Sequence, residues 1–362
     1  MPVTHAEVYR EPGRFAAWPA NYGMWSWGDE IVLIFASGHL NTTANGFHAV
    51  APRRPFDTVE ARSTDGGLTW NCHAFPGNIP NPYGLSVDEH LAADLATGPA
   101  ARALPAAPGV DFADGELALM CGRTGLHSGG TSWYYASTDR CRTWQGPYAL
   151  PELGAAGLAA RADWVPLGPR EALLLLTSTK SDGQEGRVLC ARTRDSGTTF
   201  ERLSWVGDEP EGFAIMPATV RLDSGRLLSA IRSAGSDPTA AGTRHWIDLY
   251  ASDDLGGQWS HLGRPVDSTG YGGNPATLTL LPDGRLCLVY GYRDQPYGIR
   301  ARLSSDGGVT WSAETVLRSD AGCHDLGYPR TVLRADGSVV TAYYYNDSPA
   351  GERYIAATVW TP

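Results

Sequence analysis

Apolar residues along this chain come in short bursts rather than at helical spacing. Six bursts stand out, at residues 31–35, 117–120, 172–176, 227–231, 286–290 and 339–343. Each follows a turn marked by glycine or charge: Gly28-Asp-Glu30, Asp114-Gly-Glu116, Gly168-Pro-Arg170, Ser224-Gly-Arg226, Asp283-Gly-Arg285 and Asp336-Gly-Ser338. Short apolar runs bounded by turn residues read as buried strands. Five of the six units continue into a second repeat. Ser63-Thr-Asp65-Gly-Gly67-Leu-Thr69-Trp70 recurs as Ser304-Ser-Asp306-Gly-Gly308-Val-Thr310-Trp311. Looser copies are Ser137-Thr-Asp139-Arg-Cys141-Arg-Thr143-Trp144, Thr193-Arg-Asp195-Ser-Gly197-Thr-Thr199-Phe200 and Ser252-Asp-Asp254-Leu-Gly256-Gly-Gln258-Trp259. In this box the Asp can bind backbone N–H groups across a tight hairpin, the Gly allows positive φ, and the aromatic is placed to pack between neighbouring sheets.

Each unit therefore reads as four strands: A, the glycine turn, B, a longer connection, C, the box, then D. The spacing is roughly 55 residues, in the range of propeller blades. The sixth unit has no box because the chain ends on its C strand, at 353–360. Residues 3–9 are free to supply its outer strand and close the ring without an exposed edge. The expectation is an all-β, six-bladed β-propeller with four-stranded antiparallel blades, forming one domain over residues 1–362. An insertion at about 75–110, Ala-rich over residues 90–104, is expected to hold one short helix and to act as a lid.

Composition narrows the function. Lys+Arg number 29 against 39 Asp+Glu, a net charge of −10. An acidic chain with no basic run is a poor ligand for nucleic-acid phosphates. No stretch approaches the ~20 apolar residues of a membrane span. The first ten residues lack a charged region followed by an apolar one, so the expected location is cytoplasmic unless a leader has been trimmed. Six scattered cysteines with no CxxC pair, and histidines without HxxH spacing, suit neither a zinc site nor a disulfide framework, and no metal or cofactor is expected. Lys180 is the sole lysine, so arginine supplies nearly every positive charge. A guanidinium can fork onto a carboxylate.

Five Asp boxes on a six-unit all-β repeat resemble the sialidase (neuraminidase) superfamily over nearly the whole chain. The segments at 18–35, 212–233 and 327–345 look most like a bacterial sialidase-like branch. The resemblance implies an active site on the face away from the boxes, built from A-strand starts, B-strand ends and B–C loops. It implies a general acid at Asp57, six residues before Ser63, and a nucleophilic Tyr328 in Gly327-Tyr-Pro-Arg. Of the carboxylate-binding arginines it implies Arg232, which ends a B strand, and Arg293, with Arg300 as the lesser match.

Three positions depart from the family pattern. Its first Arg falls near Trp18, the Glu that steadies that Arg falls near Tyr345–Asn346, and the Glu that deprotonates the Tyr falls near Met216. Losing both partners of an ion pair together is coherent, because either charge alone is costly to bury. A phenol at its reference pKa of about 10 is a poor nucleophile without a base. Asp163 and Glu211 are the carboxylates available to replace that base. Arg161, Arg14 or Arg54 is available to complete an anion clamp, alongside Arg330. His39 and His48 are candidates for a sugar hydroxyl or carboxylate, and Trp18, Trp25 and Trp164 for its apolar face.

The leading expectation is an exo-acting glycoside hydrolase that removes a terminal, acidic sugar from a glycan, with sialic acid the modal substrate. The alternatives are a polysaccharide lyase or hydrolase for uronic-acid or rhamnose-containing glycans, and a non-catalytic carbohydrate-binding propeller. Oligomeric state is not legible in the sequence.

Overall fold

A computed structural model describes residues 3–43, 47–96, 104–161, 163–236 and 242–362. Six antiparallel sheets follow one another along the chain, one per repeat, and the described residues contain short 3-10 turns but no α-helix. No helix among the described residues is long and apolar enough to cross a membrane. The ring closes as the pattern predicts: Val3–Tyr9 pairs antiparallel with Tyr354–Trp360, with Val3 opposite Trp360. Blades four, five and six are four-stranded. Blades one and three fill the inner position with two short strands each.

Blade two departs from the expectation. Its sheet holds three strands, Ala118–Arg123, Ser132–Ser137 and Gln145–Ala149, with no inner strand among the described residues. The insertion also differs from its expected form. It has two 3-10 turns, Asp88–His90 and Ala93–Leu95, in place of a helix, and its stretch 97–103 lies outside the described residues. Leu85, Val87 and Leu91 are buried in the core beside blade one, so this part of the insertion is packed structure rather than a lid.

The boxes form in all five copies. Asp65 Oδ1 accepts from the Leu68 and Thr69 N–H groups at 3.1 and 2.9 Å and from Ser63 Oγ at 2.8 Å, while Oδ2 accepts from Thr69 Oγ1 at 2.6 Å. These bonds, Thr69's foremost, favour the ionised form and pull the carboxyl down to about 2. Asp139, Asp195, Asp254 and Asp306 accept from the residue four positions on in the same way. Both the aromatic and the glycine make contact between blades: Trp144 packs on Trp25 of blade one at 5.5 Å and Phe200 on Tyr134 of blade two at 6.0 Å. Trp70 and Trp311 fold back to donate to Gly67 O and Gly308 O of their own turns. A Cβ on Gly67 would instead strike Val340 of blade six, one on Gly197 Tyr134 of blade two, one on Gly256 Cys190 of blade three, and one on Gly308 Leu249 of blade four.

Four of the five boxes therefore press a bare backbone against the preceding blade, and the fifth carries Cys141 there. Gly308→Ala places a methyl 2.5 Å from Leu249 Cδ2 at a φ of +90°. It is expected to destabilise by about 1–3 kcal/mol, read as a lower urea midpoint at unchanged slope.

The boxes also orient the ring. Gly66 N donates to Asp29 O in blade one and Ser196 N to Arg170 O in blade three, tying each box to the turn between strands A and B. Boxes and A–B turns thus share one end. The B–C loops and the starts of the inner strands share the other. At that second end the inner strands of blades one, three, four and six are interrupted. Blade one breaks at Trp18 (φ 61°) and the 3-10 turn Pro19–Asn21, and blade three between Leu158–Ala159 and Trp164–Gly168. Blade four shifts register at Met216 (φ 55°) and blade six at Tyr328 (φ 50°), while Gly270, Gly272 and Gly273 precede the inner strand of blade five. Bulges re-aim side chains, and a non-glycine residue at positive φ costs about 1–3 kcal/mol, so their alignment at one end of the channel marks that end as functional.

Candidate active site

The inner strand of blade six, Gly327–Leu333, and the B strands of blades four and five, Leu227–Ser236 and Leu286–Tyr292, bring one tyrosine and two arginines together. Tyr328 is held at both ends: its N–H donates to Asn274 Oδ1 at 2.8 Å, and its phenol oxygen accepts from Arg232 Nη1 at 3.0 Å. The Arg232 and Arg293 guanidinium carbons lie 5.8 and 5.7 Å from its ring centre. Burial alone would push the phenol up, but the positive fields of Arg232, Arg293 and Arg161 outweigh it and hold Tyr328 below the usual phenol range. Arg232 Nη2 donates to Gly272 O at 2.7 Å, and its Nε, also buried, has no partner among the described residues.

Arg293 is 1% exposed and committed to its surroundings. Nε and Nη2 donate to Leu326 O, Nη1 to Gly273 O, and Nη2 also to Tyr344 Oη at 2.6 Å. It supplies field to Tyr328 while its donors tie two loops and the strand Val339–Tyr345 together. Arg161 donates from Nε to Asn21 Oδ1 at 3.0 Å and from Nη1 to Glu185 Oε1 at 2.6 Å. Met216, at the position of the family's base, lies with its sulfur 3.8 Å from Arg232 Nη1.

Behind Tyr328 sits a hub that sequence reasoning did not identify. Asp325, 1% exposed, accepts from Tyr344 Oη at 2.8 Å, His48 Nδ1 at 2.8 Å and Arg353 Nε at 3.0 Å. Burial would raise its carboxyl, but His48, Arg353 and Arg293 hold it well below the usual range. Asn346, where the family carries a Glu, bonds the Asp325 carbonyl through Nδ2 at 2.8 Å. Trp18 is buried, with its ring stacked on His90 at 4.0 Å and 7°. Burial pushes His90 down to about 3, so that imidazole is neutral. A neutral stacked pair occupies the place of the family's first Arg, and an amide that of its partner.

The remaining candidates fall into other groups. Asp57 is two-thirds exposed at the same end of the ring. It is ion-paired to Arg14, which donates to His39 Nε2 at 2.8 Å; Arg54 also reaches His39, at 3.4 Å. Asp57 lines a groove of about 470 Å³ with Tyr9 and Cys72. Asp163, Trp164, Trp25 and Arg330 line one cavity of about 310 Å³ together with blade-two residues Leu117 and Leu119. Asp163 accepts from the Thr219 N–H and hydroxyl at 2.9 and 2.6 Å, and burial raises its pKa. Arg330 Nη2 donates to Ala20 O at 2.9 Å. Glu211 is exposed, and its carbonyl accepts from Lys180 Nζ at 3.4 Å. Arg300 is ion-paired to Glu314.

The structure brings Tyr328, Arg232 and Arg293 together. Asp325 and Tyr344 carry no motif, and the nearest signal for Asp325 was its position three residues before Tyr328. No group of three metal-ligating side chains occurs among the described residues, and the cysteines there are free.

A family profile described as a BNR repeat-like domain matches residues 108–341. No curated protein matches the chain. Among solved structures, a protein of unknown function from Dyadobacter fermentans is 22% identical, with a TM-score of 0.73 over 99% of this chain and 98% of that one. A sialidase from Trypanosoma rangeli is 10% identical at a TM-score of 0.62, covering 99% of this chain but only 59% of its own. A GH93 α-L-arabinofuranosidase from Fusarium graminearum, solved with arabinobiose, is 14% identical at 0.60 and covers 97% of both chains. At these identities the likeness is one of fold.

Proposed function

The chain belongs to the BNR repeat-like domain family, and on that premise we propose that its channel mouth is the site of an exo-acting glycoside hydrolase that removes a terminal sugar. One observation carries the reading: a buried tyrosine in a strained conformation, with its phenol oxygen on Arg232 and its pKa held down by three arginines. That field does for the phenol what a neighbouring carboxylate base does elsewhere, by favouring the phenolate. Tyr328 Oη attacks the anomeric carbon as the glycosidic C–O bond breaks, and Asp57 protonates the leaving oxygen. Water then attacks the same carbon while the Asp57 carboxylate takes its proton, which releases the sugar, returns the phenolate and restores the Asp57 acid.

Arg232 and Arg161 have donors left to hold a carboxylate or hydroxyl of the sugar. Asp163, which is committed to Thr219, and Glu211 are assigned no step in this scheme. The commitment of Arg293 to carbonyls favours a second reading at the same site, a neutral sugar such as an arabinofuranoside in place of sialic acid.

The test is a panel of aryl α-sialosides, α-L-arabinofuranosides, rhamnosides and uronides. Aryl release from at least one, without the absorbance of an unsaturated uronate, is expected. Binding of a glycan without turnover of any member would end the hydrolase reading.

A further inference from the structure

Arg232 and Arg293 also anchor a loop that the bond-breaking step does not use. Gly272 O accepts from the first and Gly273 O from the second, so residues 270–273 are tied to the arginines around Tyr328. Between the positive-φ glycines 270 and 272 stands Tyr271, with its N–H on Asp294 Oδ1 at 3.0 Å and its side chain 62% exposed. The other strongly exposed large apolar side chains among the described residues lie elsewhere, Leu68 and Val309 in boxes and Val316 on an outer strand. Tyr271 is the one at the channel end.

It does not stand alone there. Phe47, from the B–C loop of blade one, lies 5.4 Å away at 31°, and His324, from the loop before blade six, lies 5.0 Å away edge-on. Phe47 and His324 are 4.9 Å apart, and Arg293 sits 4.9 Å from the Phe47 ring. The cluster requires glycine beneath it, because a Cβ on Gly272 would fall 2.4 Å from the Phe47 ring. His324 Nε2 is buried and unpartnered among the described residues, although buried polar atoms are normally bonded.

We propose that Tyr271, Phe47 and His324 form a binding subsite for the sugar next to the one cleaved, a hexopyranose whose apolar C–H face stacks on Tyr271. The assignment rests on the hydrolase reading for which sugar lies where. An exo-acting site buries the terminal residue among the inner groups, Tyr328 and Arg232, and leaves the next residue at the rim, where the exposed ring is.

The probes are methyl hexopyranosides, which carry no scissile aglycone, followed by saturation-transfer NMR against wild type, Tyr271→Ala, Tyr271→Trp and Tyr328→Phe. Millimolar binding of at least one methyl hexoside to wild type is expected. It should weaken about tenfold in Tyr271→Ala, persist in Tyr271→Trp, and be unchanged in Tyr328→Phe. Because the ring is largely exposed, Tyr271→Ala should melt as wild type does. Equal binding by wild type and Tyr271→Ala, or no binding of any methyl hexoside to wild type, overturns the subsite even in an active hydrolase. Retained Tyr271-dependent binding in a protein that turns over no aryl glycoside would leave the subsite standing and remove the hydrolase reading alone.

Discussion

Tyr328→Phe is expected to lower kcat on the substrate identified by the aryl panel by at least about a thousandfold while leaving the fold intact. The variant removes a single oxygen that accepts a hydrogen bond from Arg232 Nη1. The backbone bond to Asn274 and the ring contact with Tyr344 at 6.1 Å remain, and Arg232 keeps Gly272 O. A hydrogen bond from a charged donor is worth about 1.5–3 kcal/mol, so the urea midpoint should fall modestly while the protein stays folded. The mechanism also fixes a pH dependence. The reactive form is the phenolate, so the rate rises with pH until the phenol has ionised, and the arginine field sets that limb below the ordinary phenol range. Arg232→Gln removes the largest favourable charge, and the ascending limb of kcat should move to higher pH. Wild-type turnover in Tyr328→Phe, or an unmoved limb in Arg232→Gln, would count against the phenolate.

The largest effect on stability is expected from Asp325→Asn. The carboxylate is buried and shared by Tyr344, His48 and Arg353, and Arg353 is itself only 4% exposed. An amide of similar shape keeps the volume but leaves a buried guanidinium without its counter-charge, a loss of about 3–5 kcal/mol. The sign with pH follows from linkage. The folded pKa of Asp325 lies below its unfolded value of about 3.9, so its contribution is complete above that value. It is lost as pH falls toward the folded pKa. Unfolding free energies from urea melts between pH 7 and pH 3 should therefore differ most at neutral pH and converge in acid. A difference under 1 kcal/mol at pH 7, or parallel profiles throughout, would show that the hub is not a stability device.

The two kinds of information separate cleanly at the boxes and at the hub. Every bond that makes a box lies within the octapeptide: Asp306 Oδ1 meets Thr310 N four residues on. Such a device is written in contiguous residues, so five copies with six apolar bursts were enough to count blades, orient the ring and close it through Val3–Tyr9. The same topology singled out Tyr328, Arg232 and Arg293. The exception on the fold side has the same logic. Blade two shows no inner strand among the described residues, and the segment before Ala118 carries no pattern that announces it.

Tertiary structure alone decided what those side chains do to one another. Arg232 and Tyr328 are 96 residues apart, Arg293 and Tyr344 51, and His48 and Asp325 277. No local pattern encodes a partner at that distance, since each contact depends on which blades the ring makes adjacent. Arg293 shows the consequence: its position was legible, but its donors go to backbone carbonyls that only the folded loops present. Trp18 shows it again, because the ring that seemed available to a sugar is covered by His90 from the insertion. By itself the sequence determined the ring, its two ends and the residues aimed at the channel. Only closure of the ring decided which of them share a hydrogen bond, a field or a buried charge, because those interactions act over a few ångströms between residues far apart in the chain.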